Sequence, residues 1–281
     1  PDICVSVGGR DIFCLPSCTD GSIKVSEFHF SHDKYAVKYG GSFFGNIYAR
    51  FRMRQIEKVA AKLDKFIVLT KSDKKDWEPF VPNVTSIYNP LTFKSEEVAA
   101  LDNEKCIAIG RLESQKNFRD LVAAWKYVAE EYPDWVLEIY GNGSLKKSLQ
   151  KQITSLGLDL QVRLMGSSSD IRSKMLDSSC LVMSSAYEGF PMVLLEAVET
   201  GLPMVSYDCP KGPAEIIIDG KSGYLVKPGD VEGLARRVCD VISDAGRRKE
   251  FGAMAKKTAA QYSIDRIMEQ WKTLFEGLMA K

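Results

Sequence analysis

Between residues 106 and 218, short apolar runs alternate with segments whose apolar positions recur every three or four residues. CIAIG (106–110) precedes NFRDLVAAWKYVAEEY (117–132), WVLEIYG (135–141) precedes SLKKSLQKQI (144–153), and VRLMG (162–166) precedes DIRSKMLDS (170–178). LVMSS (181–185) then leads into PMVLLEAVETG (191–201), and PMVSYD (203–208) into a short PAEIII. A run too short for a buried helix followed by an amphipathic stretch reads as strand then helix, so the pattern predicts βαβ units: an α/β fold whose parallel sheet carries helices on both faces.

The first ninety residues follow the same rule with shorter elements. DICVSVG, IKVSEFH and KFIVLT read as strands, and NIYARFRMRQIEKVAAKLDK (46–65) as a helix between the last two. YNP (88–90) breaks the pattern, because the residue before a proline is pushed toward extended conformations. The expected division is a first Rossmann-like domain over 1–89 and a second over 90–263. The apolar stripe of the helix at 264–281 needs a partner and is expected to pack back on the first domain. A doubly wound domain normally uses five or six strands, whereas the first part supplies three or four, so the chain is expected to lack the opening strands of that domain.

A length of 281 residues agrees with two cores, and a formal net charge of +1 gives no reason to expect nucleic acid as a partner. Charge is nevertheless uneven. Arg50, Arg52, Arg54, Lys58, Lys62 and Lys65 crowd one stretch with few acids, which describes either a solvated helix face or an attraction to anionic lipid head groups or a phosphorylated substrate. Seven scattered cysteines without a CxxC pair suggest reduced thiols in a cytosolic compartment. His29 and His32 are the only histidines, too few for a zinc set, so neither metal nor cofactor is expected. No run of about twenty apolar residues is present to span a bilayer.

Ligands of open α/β sheets bind beyond the carboxyl ends of the strands, which directs attention to the residues after each apolar run. Arg111 and Lys116 follow CIAIG; a guanidinium and an ammonium there suit a diphosphate, although two solvated surface cations fit equally well. Gly141 and Gly143 follow WVLEIY, and Met165 and Gly166 end VRLMG; both pairs allow close backbone approach, a weak signal because turns use glycine for many reasons. YEGFPMVLLEA (187–197) is more specific. Pro191 suits a first helical turn, so the amides of Met192, Val193 and Leu194 would be open to an anion. Glu188 then lies in the loop and Glu196 nearly two turns below it, roughly 9 Å along the chain by helical rise. Acids so spaced cannot share a proton or a metal, but can hold hydroxyls at two ends of a nucleotide sugar. An acid favoured by the helix dipole is the plainer explanation for Glu188 alone.

GRLESQKN, IYGNGS, LMGSSSDI, SSAYEGFPMVLLEA and YDCPKGPAEII with GYLV together resemble glycosyltransferase family 4, retaining enzymes of the GT-B type, above all those that build bacterial surface polysaccharides and lipid-linked oligosaccharides. Glu188 and Glu196 match that family's E-x7-E signature. The resemblance implies two Rossmann-like domains facing a cleft, the N-terminal one incomplete here, and metal-independent transfer from a UDP-sugar with retention. It places Arg111 and Lys116 on the donor diphosphate, Glu196 on the ribose, Glu188 with the backbone of Gly189, Phe190, Pro191 and Met192 on the sugar, and His29 near the transferred group. A glycan or polyprenyl-diphosphate-linked acceptor, at the cytoplasmic face of the plasma membrane, is the implied partner. The absence of D-x-D agrees with cations, not a metal, balancing the diphosphate. A non-catalytic nucleotide-sugar binder and a GT-B epimerase or phosphorylase are the competing readings.

Overall fold

The computed structural model describes residues 2–280. The first unit contains β1 (Ile3–Ser6), β2 (Ile23–Phe28), α1 (Lys34–Tyr39), α2 (Phe43–Ala60), β3 (Lys65–Val68), α3 (Lys71–Trp77) and β4 (Val84–Ser86), its four parallel strands ordered β1-β2-β3-β4. The second runs β5 (Lys105–Ile109), α4 (Phe118–Glu131), β6 (Val136–Tyr140), α5 (Lys146–Ser155), β7 (Val162–Gly166), α6 (Ile171–Leu176) and β8 (Cys180–Met183). It continues through α7 (Met192–Thr200), β9 (Met204–Tyr207), α8 (Pro213–Ile216), β10 (Gly223–Val226), α9 (Val231–Ile242), α10 (Ala245–Ala259) and α11 (Ile264–Met279). Its six strands are parallel in the order β10-β9-β8-β5-β6-β7. The α/β architecture with two Rossmann-like parallel sheets is therefore as the sequence pattern predicts.

The second sheet reverses its strand order between β5 and β8. Connections leave that line in opposite directions, which opens a crevice at the carboxyl ends of these two strands. Layers of Phe118, Leu121, Val122, Trp125 and Leu234 on one face and Leu194, Leu195, Val198 and Leu202 on the other bury the central strands, β8 and β9 entirely, while β7 at the edge leaves Arg163 and Met165 exposed. Parallel strands covered on both faces read as continuous apolar runs, which is why the alternation in this half was legible.

The first sheet shows where local signals mislead. Helix α2 begins at Phe43, three residues before the predicted start, because the Ser42 hydroxyl accepts the Gly45 N–H (3.0 Å) and caps it. It stops at Ala60, earlier than the helical pattern suggests. Buried Leu63 turns the chain and Asp64 accepts the Lys24 N–H (2.7 Å), so pairing with β2 takes over. One face of this sheet packs Phe28, Phe66 and Val68 against Met53, Ile56 and Trp77. On the other, Val25, Ile67 and Ile87 meet Ile267, with Trp271, Leu274 and Leu278 of α11 beside them. All seven cysteines are free, and no described helix is long and apolar enough to cross a membrane.

Asp73, near the start of α3, is 3% exposed and accepts the His32 N–H (2.8 Å) and the Trp77 indole N–H (3.1 Å). Burial, opposed by these donors and by Lys211, pushes its pKa up to about 6. The native chain thus holds a proton that the unfolded chain releases near pH 4. Stability should fall as pH rises from about 4 to about 6, by roughly 3 kcal/mol, and then level off. Asp73→Asn should flatten this slope in urea melts at pH 4.5 and 7; an unaltered slope would assign it to another group.

Candidate active site

The site is assembled from the two loops that leave β5 and β8. After β5 come Gly110 and Arg111, then a short 3-10 turn over Ser114–Lys116 ending at left-handed Asn117 (φ 47°). After β8 comes the loop 184–191. The loops are stitched together: Ala186 N–H donates to Gln115 O (2.8 Å), Gln115 Nε2 to Tyr187 O (3.1 Å), and Ser184 Oγ to Lys116 O (3.0 Å). This framework brings Lys116 Nζ to 2.6 Å from Glu188 Oε1, with side-chain exposures of 17% and 8%. Each buried charge has the other as partner, the condition under which such charges are tolerated.

Gly110 makes that geometry possible. A Cβ there would stand 2.9 Å from Lys116 Cε and 3.0 Å from Cδ. The obstacle is a flexible stem, but Gly110 also holds φ at 158°, where a side chain is strained, so Gly110→Ala should cost about 1–3 kcal/mol of stability and displace the ammonium from Glu188. Gly141→Ala should cost more, about 3 kcal/mol or above, because its Cβ would meet the fixed carbonyl of Gly110 at a φ of 144°. Urea midpoints of both variants check the order.

Several proposed ligand-facing residues have structural work instead. The space left by Gly141 and Gly143 is taken up by the backbone of Gly110 and Leu112, and Gly166 O accepts the Gly141 N–H (2.8 Å). Met165 is exposed beside them. Phe190 stacks on Tyr88 (5.3 Å between centroids) near Tyr262, and Val193 and Leu194 are core side chains, so these residues can offer a ligand only backbone. Leu194 N–H donates to Pro191 O (2.9 Å), leaving Met192 and Val193 as the first-turn donors. Arg111 is exposed and reaches Gln115 Oε1 (3.3 Å), outside the Lys116 and Glu188 pair.

Glu196 is the fifth residue of α7. Burial pushes its carboxyl above the usual range, opposed by a hydrogen bond from Thr92 Oγ1 (3.2 Å). His29 comes from the other unit: a Cβ on Gly189 would run into His29 O, so the loop carrying Glu188 lies directly against it. His29 Nε2 lies 3.3 Å from Glu27 Oε2 without hydrogen-bond alignment. Two cavities border the region, of about 610 Å³ beside Thr92, Ser95 and Lys256 and about 700 Å³ beside Ile87, Tyr88 and Arg266; neither is lined by Lys116 or Glu188. No group of three or more His, Cys, Asp or Glu among the described residues is arranged to hold a metal.

Sequence reasoning missed the residues that hold the two units together. The Glu215 carboxylate, on α8, accepts Lys71 N–H (3.0 Å), Ser72 N–H (2.8 Å), Ser72 Oγ–H (2.6 Å) and Tyr88 O–H (2.6 Å). Lys211 beside it pairs with Asp76. PAEII supplies an acid in a first helical turn, and nothing in that pattern says that it caps a different helix.

Residues 92–258 match the family model described as Glycosyl transferases group 1. Over 212 residues the chain is 29% identical to an uncharacterized glycosyltransferase of Haemophilus influenzae, covering 74% of this chain and 60% of that protein. It is 33% identical over 220 residues to the amylovoran biosynthesis glycosyltransferase AmsD of Erwinia amylovora, covering 75% and 62%. A crystal structure of an S. aureus TarM variant with fondaparinux, α-GlcNAc-glycerol and UDP superposes with a TM-score of 0.79 at 25% identity, over 91% of this chain and 51% of that one. The chain thus spans between half and two thirds of the length of these relatives.

Proposed function

Because the chain belongs to the group 1 glycosyltransferases, we propose that it transfers a hexose or N-acetylhexosamine from a UDP-sugar to a glycan or polyprenyl-diphosphate-linked acceptor in bacterial polysaccharide assembly. The observation that carries the reading is the Lys116 and Glu188 pair, buried where β5 and β8 diverge and next to the start of α7. A cation there has a partner that can be exchanged. When the donor enters, Lys116 turns from Glu188 to a phosphate oxygen, and the released carboxylate accepts hydrogen bonds from sugar hydroxyls. Arg111 and the Met192 and Val193 amides add positive potential around the diphosphate, while Glu196 accepts the ribose hydroxyls. His29 bears on the transferred sugar from across the contact between the units.

Transfer proceeds with retention. The acceptor oxygen bonds to C1 on the face that UDP leaves, the C1–O bond to the β-phosphate breaks, and the acceptor proton passes to the departing phosphate oxygen. Cationic side chains balance the charge that develops on UDP, so activity should persist in a chelator. The acceptor is expected at the cytoplasmic face of the membrane. TarM crystallises with UDP and α-GlcNAc-glycerol and AmsD serves amylovoran biosynthesis, which supports the donor and acceptor classes.

The test is UDP release from a panel of UDP-sugars with and without EDTA, using Glu188→Ala as control. UDP binding without release from any donor would mark a non-catalytic binder, and no UDP binding at all would end the proposal.

A further inference from the structure

Helix α7 is closed on every side but one. Seven of its nine residues are buried, and the two that are not, Met192 and Glu196, stand four apart and so share a face. The segment that joins the two units meets the helix at both of these positions: Asn89 Nδ2 lies 3.6 Å from Met192 Sδ, and Thr92 Oγ1 donates to Glu196 Oε1 (3.2 Å). Thr92 is itself held between two fixed points, the Leu91 N–H on Tyr262 O (2.8 Å) and the Ser95 N–H on Glu199 Oε1 (2.6 Å). The segment stays on α7 as far as Ala99, whose N–H donates to Thr200 O (2.8 Å).

The three acids of this region differ in what holds them. Glu188 has the Lys116 ammonium, and Glu199 has the Ser95 N–H and the Lys256 ammonium (2.8 Å). Glu196 has one neutral hydroxyl: among the described residues no cation pairs with it and its Oε2 accepts no hydrogen bond. A half-buried carboxylate with a single donor keeps acceptor sites to fill. We infer that Thr92 is a positioning residue for nucleotide recognition, its hydroxyl holding Glu196 Oε1 so that Oε2 is aimed at the ribose diol of the donor. A β-branched side chain is stiff at χ1, and here it stands on a pinned backbone, so the carboxylate is oriented before the nucleotide arrives and little of its ordering is left for the binding step. The role rests on the proposed placement of Glu196 on the ribose, and adds to it a residue from the segment between the units, eight turns of sequence removed from neither acid by helix or strand but joined to one of them by this contact.

The test is calorimetry with UDP and with 2′,3′-dideoxy-UDP, which differ only in the diol. The parent chain should bind UDP about a hundredfold more tightly than the dideoxy compound, and Glu196→Ala should bind the two alike. Thr92→Val, which keeps the shape and removes the hydroxyl, should weaken UDP about tenfold and leave dideoxy-UDP within about twofold of the parent; Thr92→Ser should restore most of the UDP affinity. Both Thr92 variants should keep the parent's urea midpoint, since the residue is exposed. Equal weakening of both nucleotides by Thr92→Val would reduce Thr92 to a structural contact. A preference for UDP that Glu196→Ala removes and Thr92→Val leaves whole would overturn the inference and spare the ribose reading. A parent chain that binds both nucleotides alike, or neither, would overturn the two together.

Discussion

Lys116→Ala is expected to lower kcat/KM for a UDP-sugar by about 10³ and to weaken UDP binding by about 10². The ammonium is the only cation that the loops after β5 and β8 hold against Glu188 among the described residues, and it lies where the strand order reverses. Its removal should also cost about 3 kcal/mol of stability, because Glu188 is left buried without a partner. Adding Glu188→Gln should restore most of that stability and none of the affinity. This separation distinguishes phosphate binding from a packing role. Arg111→Ala, at an exposed position, should cost only about tenfold. If Lys116→Ala keeps parental UDP affinity in calorimetry, the diphosphate is held elsewhere.

Glu215→Ala, at a half-buried position, should destabilise the fold by about 3–5 kcal/mol, because it strands four donors in one step. Three of them belong to the start of α3 and the fourth is the Tyr88 hydroxyl, so the loss falls on the contact between the two units. Faster proteolysis within 88–104, with amide exchange rising in both units, is the expected signature; loosening confined to α8 would rule out a role in joining them. Burial alone would raise the Glu215 pKa, but the hydrogen bonds from Ser72, Tyr88 and Lys71 outweigh it and hold it below the usual glutamate range. A depressed carboxylate contributes stability above its unfolded pKa and loses it as pH falls through the folded one, so the joint should weaken in acid. Glu215→Gln should remove that acid sensitivity.

The second sheet was legible because fully buried parallel strands and amphipathic helices carry different periods, and CIAIG, WVLEIY and VRLMG fall within a residue of β5, β6 and β7. The first sheet was less so. Val84–Ser86 is too short to stand out, and the limits of α2 depend on the Ser42 hydroxyl and on Asp64 reaching β2, one a local cap and the other a partner forty residues away. Glu188 and Lys116 were each visible as candidates. Their contact was not, since it depends on the β5 and β8 order that brings together residues 72 apart. The glycines after β6 were read toward a ligand, whereas Gly141 and Gly143 accommodate the neighbouring loop. Sequence marks where backbone must come close; only the fold says to what.

Helix α11 closes the face of the first sheet formed by Val25, Ile67 and Ile87, yet Ile267 is made 180 residues after Ile87. At synthesis rates of about 5–20 residues per second, the first sheet waits roughly 10–40 s with a bare apolar side. Throughout that interval the nascent chain carries an adhesive face that only a helix made much later can seal.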